Sequence, residues 1–311
     1  MNILLIALGL VLLIAGGNWL LKSAVGFSLR LKIPKIVIGM TVVSLATSAP
    51  ELIISIKSAL EGHADIAFGN VIGSNIANLG FVLAIAIIIS TIRVRESFYK
   101  TDWPVMMISS VLLYFFIAFD GVLQRYEGVI LLSFLFIFII YLLKFQKPAV
   151  IDEMPEDDEE LPLYKDILFL AVGGISLWGG SELLIDGAVS MAKQFDISER
   201  IIGITIVSIG TSIPELAASV IAILKKEKAI SLGNLIGSNM FNILGVLGVT
   251  AIITPIKITD QGLLSNDIFW MLAISFLILP LNFVPSRMKL GWRDGLILLS
   301  LYSIFMYRMF I

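Results

Sequence analysis

IGMTVVSLATSAPEL, residues 38–52, returns as IGITIVSIGTSIPEL at residues 202–216. GNVIGSNIANL, residues 69–79, returns as GNLIGSNMFNI at residues 233–243. Both blocks repeat at an offset of 164 residues without a gap, with identities of 10 of 15 and 7 of 11. Two blocks at one offset are a duplication. The rest of the chain takes its organisation from it.

The chain of 311 residues is 58% hydrophobic and 15% charged, with a mean hydropathy of +0.98. A soluble domain carries about 25% charged residues. A chain of this composition has lipid as its main solvent. A membrane helix needs about 20 apolar residues, and ten such helices are expected. They lie near 3–21, 36–60, 66–90, 104–119, 127–144, 166–192, 201–224, 229–253, 267–284 and 294–309. The runs are too long and continuous for a transmembrane β-barrel, whose strands alternate over about 10 residues. MNILLIALGLVLLIAGG at the start lacks a basic n-region and reads as the first span, not as a signal peptide.

Composition excludes several functions. There is no cysteine and a single histidine, His63, so disulfide frameworks, thiolate sites and His-rich zinc sites are absent. A net charge of −2 argues against a nucleic-acid partner. The partner implied is the bilayer, and no obligate protein partner or cofactor is called for.

IDEMPEDDEELP, residues 151–162, is the one strongly polar stretch. The expected organisation is a first five-helix repeat at 1–145, an acidic linker at 146–163 and a second five-helix repeat at 164–311. Five is odd, so the second repeat is expected to insert upside down. The fold class is an all-α polytopic membrane protein with inverted repeats. Such repeats with matched helix-breaking residues point to a secondary transporter with its site near the midplane. Lys and Arg favour the cytoplasmic side. With the N-terminus outside, they divide 16 to 6 in favour of that side, out of 22. Both termini then face outward and the linker faces the cytoplasm.

The repeated blocks put polar residues inside apolar helices. Ser44, Ser48, Glu51 and Ser55 step by four, three and four, forming one stripe on a helix. Ser208, Ser212, Glu215 and Ser219 repeat it, with Thr47 and Thr211 beside the stripes. Asn70, Ser74 and Asn78, and again Asn234, Ser238 and Asn242, step by four. An intramembrane carboxylate costs at least about 2.5–3.5 kcal/mol. The motifs carry no Lys or Arg to offset Glu51 and Glu215; a bound cation would satisfy both. Pro50 and Pro214 precede the glutamates and, lacking an N–H, free the carbonyls of Ala46 and Gly210. Calcium takes six to eight oxygens. Carboxylates, carbonyls, Thr47, Thr211, Asn78 and Asn242 can supply them. The hydroxyls of Ser48, Ser74, Ser212 and Ser238 suit sodium. One calcium or two sodium ions would neutralise the two carboxylates. A neutral loaded site crosses a low-dielectric interior more easily than an empty charged one, which favours exchange over leak.

SLATSAPE with GNVIGSNIAN, and SIGTSIPE with GNLIGSNMFN, resemble the α-repeats of the sodium/calcium exchangers, within the calcium/cation antiporter superfamily. Ten spans and a short linker match the compact prokaryotic form. The resemblance implies electrogenic exchange by alternating access in a prokaryotic cytoplasmic (inner) membrane. In that scheme the first and sixth helices slide across four ion-holding helices. It makes Glu51 and Glu215 the shared calcium ligands, and Thr47, Ser48, Thr211, Ser212, Ser74 and Ser238 sodium or calcium ligands. Ser44 and Ser208 would contribute main-chain carbonyls. Many exchangers carry an aspartate at one of the positions held here by Asn78 and Asn242, so this site has one possible negative charge fewer. Gly16–Gly17 and Gly179–Gly180 sit where the first and sixth helices would slide or pack. The competing functions are a proton-coupled calcium exchanger, in which the glutamates carry the protons, and a cation channel, which would need a continuous pore. An enzyme would need a base and a substrate opening that this symmetric set does not offer.

Overall fold

The computed structural model describes residues 2–145, 162–194, 210–284 and 288–310. Most of the predicted acidic linker, and residues 201–209 of the seventh predicted span with Ser208, lie outside them.

Without water in a bilayer core, a chain must satisfy its backbone internally, and the apolar runs among the described residues are helical. The helices are α1 (Asn2–Leu31), α2 (Lys35–Thr47), α3 (Ala49–Leu60), α4 (Ala64–Ile89), α5 (Trp103–Ile117) and α6 (Arg125–Phe145). They continue as α7 (Leu163–Gln194), α8 (Ile213–Leu224), α9 (Lys228–Ile253), α10 (Ile268–Phe283) and α11 (Trp292–Phe310). Among the described residues six helical stretches are long and apolar enough to cross a membrane, or seven if α2 and α3 form one broken span. Strands among these residues are four of two residues each: β1 (Ile92–Arg93), β2 (Val122–Leu123), β3 (Ile256–Lys257) and β4 (Lys289–Leu290).

The burial pattern inverts that of a soluble protein. Val129, Ile130, Phe136 and Ile137 of α6 are exposed, while Ser44, Glu51, Asn78, Glu215 and Asn242 are fully buried. Exposed apolar side chains need no compensation in lipid; buried polar ones need partners or ligands.

The chain forms two compact units, each drawing on both sequence halves. One comprises Met1–Thr47 and Tyr141–Asn234, the other Ser48–Ile140 and Leu235–Ile311. In the first unit α1 and α7 run antiparallel in backbone contact. A Cβ on Gly9 would lie 2.7 Å from the Gly180 carbonyl oxygen, and one on Gly16 would lie 2.9 Å from that of Gly173. Only glycine allows so close an approach, the usual device of packed membrane helices. The predicted pairs divide their work. Gly16 and Gly180 lie in this contact, Gly17 faces Ile221 of α8, and nothing lies within 4 Å of a Cβ at Gly179. Arg30 reaches the buried Asp166 at 3.2 Å, and Lys35 reaches Glu227 at 2.7 Å. Further along, Gly39 of α2 and Gly233 of α9 meet, with a Gly39 Cβ only 2.6 Å from the Ile230 carbonyl oxygen.

In the second unit α3 packs on α4, and α11 packs on the C-terminal half of α4. Two short antiparallel pairs tie the loops together. Ile92 and Arg93 face Leu290 and Lys289; Val122 and Leu123 face Lys257 and Ile256. Each pair is extended by one bond, from the Val94 N–H to the Met288 carbonyl at 2.9 Å and from the Ile258 N–H to that of Gly121 at 2.8 Å.

The helices are not uniformly α. Gly39–Val43 within α2, Asn78–Val82 within α4 and Phe241–Leu247 within α9 are π-helical. Such turns widen a helix and leave backbone bonds imperfectly stacked, and they are frequent at functional sites. These three fall in or beside the duplicated motifs; two others, Phe98–Asp102 and Leu263–Asp267, lie away from them.

Candidate cation-binding site

The two PE motifs lie at helix starts. Ser48 precedes α3 with φ −88° and ψ 4°; Ser212 precedes α8 with φ −91° and ψ 4°. Neither conformation is helical, because the proline two residues on cannot donate and crowds the preceding turn. Each helix then restarts with proline in its first turn and the glutamate directly after it. Serine followed three residues later by glutamate is the pattern of a capping box, the bland explanation of this motif. The geometry rejects it, since neither serine makes a side-chain capping bond. Glu51 and Glu215 are fully buried in the first turns of α3 and α8. There the positive end of the helix dipole favours a negative charge, by about 0.3–1 kcal/mol in exposed cases and more when partly buried.

Of the eleven described candidates, ten are buried: Ser44, Thr47, Ser48, Glu51, Ser74, Asn78, Ser212, Glu215, Ser238 and Asn242. Thr211 is partly exposed, and Ser208 lies outside the described residues. The first unit brings Ser44 and Thr47 together around Asn234. The Thr47 hydroxyl donates to Asn234 Oδ1 at 3.1 Å, and Ser44 Oγ lies 3.0 Å from the Asn234 carbonyl and 2.7 Å from that of Gly39. Asn234 Nδ2 in turn donates to Ser219 Oγ at 3.3 Å. The Ser44 hydroxyl is thus engaged with backbone, which leaves the carbonyl as its candidate ligand atom; Thr47 Oγ1 also lies 3.4 Å from that carbonyl. In the second unit Asn70 Nδ2 donates to Ser55 Oγ at 3.1 Å, the same bond as Asn234 to Ser219 at the repeat offset.

One of the two freed carbonyls is engaged by a side chain. The Gly210 carbonyl accepts a bond from the Ser181 hydroxyl at 2.9 Å, so it is satisfied by protein. At the offset of 164, Ser181 corresponds to Gly17, which offers the Ala46 side no hydroxyl.

Among the described residues the Ser212 hydroxyl, both ends of the Asn78 amide and Asn242 Oδ1 are buried without a hydrogen-bond partner. A buried unpaired polar atom costs about 1–3 kcal/mol, so such atoms mark places where a ligand can compensate. The donor set is hydroxyl, amide, carbonyl and carboxylate oxygen, the set that hard cations prefer. No three acidic or imidazole side chains cluster among the described residues. Sequence periodicity passed over four polar links: Ser181, Asn75, Asn239 and the bonding of Asn234. The asparagine of GSN, present in both halves, was the available signal for Asn75 and Asn239.

Known proteins resemble this chain along most of its length. The family model described as sodium/calcium exchanger protein matches residues 1–144 and 165–311. CaxA of Alkalimonas amylolytica is 36% identical over 312 residues, covering 98% of this chain and 97% of its own. The sodium/calcium exchanger MaX1 of Methanosarcina acetivorans is 29% identical, covering 99% and 98%. The sodium-calcium exchanger NCX_Mj, solved from crystals soaked with zero Na+ and Ca2+, superposes with a TM-score of 0.84 at 30% identity, covering 99% and 98%. The chain is a multi-pass membrane protein belonging to the sodium/calcium exchanger family, whose members carry sodium and calcium as transported ions.

Proposed function

We propose that this chain is a secondary active antiporter that exchanges sodium for calcium by alternating access, extruding calcium with the inward sodium gradient. The observation that carries the reading is the pair of fully buried glutamates, each in the first turn after a proline break, at matched positions of a duplication. Membership of the exchanger family supports antiport of cations including calcium. NCX_Mj has been studied in crystals soaked with Na+, Ca2+ and Sr2+, which supports the same ions here.

The architecture proposed is ten spans, with repeats at 1–145 and 164–311 inverted about the linker at 146–163. Its support lies within each unit. Positions 9 and 16 correspond to 173 and 180 at the offset, and Gly9 meets Gly180 while Gly16 meets Gly173. An antiparallel pair that maps onto itself under exchange of the halves is what a two-fold axis in the membrane plane would produce. The strand pairs behave likewise: β1 corresponds to β3 at the offset and β2 to β4 by order within each half, and β1 joins β4 while β2 joins β3. The basic-residue asymmetry supports a cytoplasmic linker and outward termini in a prokaryotic inner membrane.

Glu51 and Glu215 are the principal ligands in this reading. Thr47, Thr211, Asn78, Asn242 and the main-chain carbonyls of Ser44 and Ser208 complete calcium coordination. Ser48, Ser74, Ser212 and Ser238 serve sodium. The carboxylates make the empty carrier negative and the loaded one near neutral, so the loaded form reorients more readily.

The test is radioactive calcium uptake into proteoliposomes loaded with sodium and diluted into potassium, choline or sodium buffer, beside an acid-loaded set. Uptake that needs the outward sodium gradient is expected. Uptake driven by acid loading alone transfers the coupling to protons and removes the sodium assignments at the serines.

A further inference from the structure

Four asparagines of the duplicated motif, Asn75, Asn78, Asn239 and Asn242, are all buried within the second unit. Asn75 and Asn239 correspond at the offset of 164, as do Asn78 and Asn242. Asn75 touches its own counterpart, donating from Nδ2 to the Asn239 backbone carbonyl at 3.3 Å. Identical residues around a local two-fold axis would be expected to bond alike. They do not. Asn242 Nδ2 donates to Asn75 Oδ1 at 3.2 Å, whereas the side chains of Asn239 and Asn78 have no hydrogen-bond partner among the described residues.

The chemistry of the amide turns this difference into an orientation. A backbone carbonyl can only accept, so it must face the NH2 end of Asn75. Met271 Sδ, 3.7 Å from the same nitrogen, is also an acceptor. The oxygen end of Asn75 therefore faces Asn242, which must answer with its own NH2. That fixes which end of Asn242 remains: Oδ1, fully buried and without a hydrogen-bond partner among the described residues. Acceptor, donor, acceptor and donor follow in one order, and reversing any amide would place donor against donor or acceptor against acceptor. Asn78 is held by no such chain.

We propose that Asn75 is a positioning residue that sets the amide of Asn242 so that its oxygen is presented to the transported cation, and that Asn239 does no such service for Asn78. The two halves thus contribute unequal ligands from equal residues: a fixed carbonyl oxygen from Asn242 and an unfixed amide from Asn78. This inference rests on the reading of Asn242 as a cation ligand. An amide oxygen held in place costs the ion less ordering than one that must turn on binding, so the Asn242 side binds calcium more tightly than the Asn78 side.

The experiment is a calcium titration of the purified full chain in detergent, with sodium-driven calcium flux measured in parallel on the unmodified protein. Asn75→Ala is expected to raise the half-saturating calcium concentration about tenfold. Asn239→Ala, which keeps the backbone carbonyl that orients Asn75, should change it by less than about twofold. In an Asn242→Ala background the effect of Asn75→Ala should vanish, whereas a merely structural role would persist there. Should Asn75→Ala fail to fold, Asn75→Leu keeps the volume and likewise offers Asn242 Nδ2 no acceptor. It should weaken calcium binding as Asn75→Ala does. Equal weakening by Asn75→Ala and Asn239→Ala, an Asn75 effect that survives without Asn242, or unchanged binding by Asn75→Leu overturns the proposal. Failure of the unmodified protein to bind calcium overturns it as well. Saturable calcium binding without sodium-driven flux retires the antiport reading instead, and the affinities of the variants still decide the role of Asn75.

Discussion

The break before α3 and the break before α8 are near copies in backbone, yet their surroundings differ. Ser48 and Ser212 have dihedrals within a few degrees of each other, and α3 and α8 each run for 12 residues. The serine–x–proline–glutamate pattern sets this local geometry twice, because proline imposes the same constraint wherever it stands. What lies around the breaks follows non-identical positions. The Gly210 carbonyl is held by Ser181, and the residue corresponding to Ser181 is Gly17, packed against Ile221. The π-helical turn at Asn78 has five residues and the one around Asn242 has seven. A duplication thus supplies equal candidate residues, and divergence around them makes the halves unequal.

The comparison can be broken most severely at the glycine contacts. Gly173→Ile would put a Cβ 2.7 Å from the Leu20 backbone nitrogen and should destabilise the protein by at least about 2–3 kcal/mol, as overpacking does. Gly179→Ile, in open space, should leave it unchanged. Thermal melting in detergent, followed by size-exclusion recovery, separates the two. Equal losses would mean that the α1–α7 contact is not what the glycines serve.

A smaller effect sharpens the comparison at the ligands. Thr47→Val removes both a candidate ligand oxygen and the donor to Asn234. Calcium affinity should fall about tenfold, the scale of lost supporting bonds at metal sites. Asn234→Ala should follow in the same direction, read by the same calcium titration. An unchanged affinity in both would show that Thr47 bonds to Asn234 for packing alone.

The smallest effect belongs to Ser181. Ser181→Ala deletes the hydroxyl donor to the Gly210 carbonyl and should cost about 1 kcal/mol of stability, seen as a modest fall in melting temperature. Calcium affinity should stay put. A large fall in affinity would show that the Gly210 side depends on this bond for ion binding.

These expectations also mark how far the sequence could be read. The apolar runs, the duplication and the two buried glutamates were legible because composition, offset and intramembrane charge are properties of the chain itself. Pro50 and Pro214 made a helix distortion legible, but not its position at Ser48 and Ser212. The π-helical turns were not legible, since an apolar segment such as Asn78–Val82 satisfies an α or a π pattern equally well. The bond between Ser181 and Gly210 was hidden because Ser181 stands in a glycine-rich stretch where a small residue reads as packing. Asn75 escaped for a different reason. Its stripe is not that of Asn70, Ser74 and Asn78, and contact with its own counterpart becomes visible only once the halves are brought together in space. The strand pairs, two residues long and joined between distant loops, left no periodicity to detect.

The central claim is that both halves contribute to one transport cycle through Glu51 and Glu215. The most direct measurement is the initial rate of sodium-gradient-driven calcium uptake by Glu51→Gln, Glu215→Gln and the double variant in proteoliposomes, beside the unmodified protein. The account predicts that either single substitution lowers the rate as far as both together, on the order of a hundredfold or more, as groups acting as a unit do. Single variants that each keep about half the rate, with only the double variant silent, would show two independent pathways and contradict it.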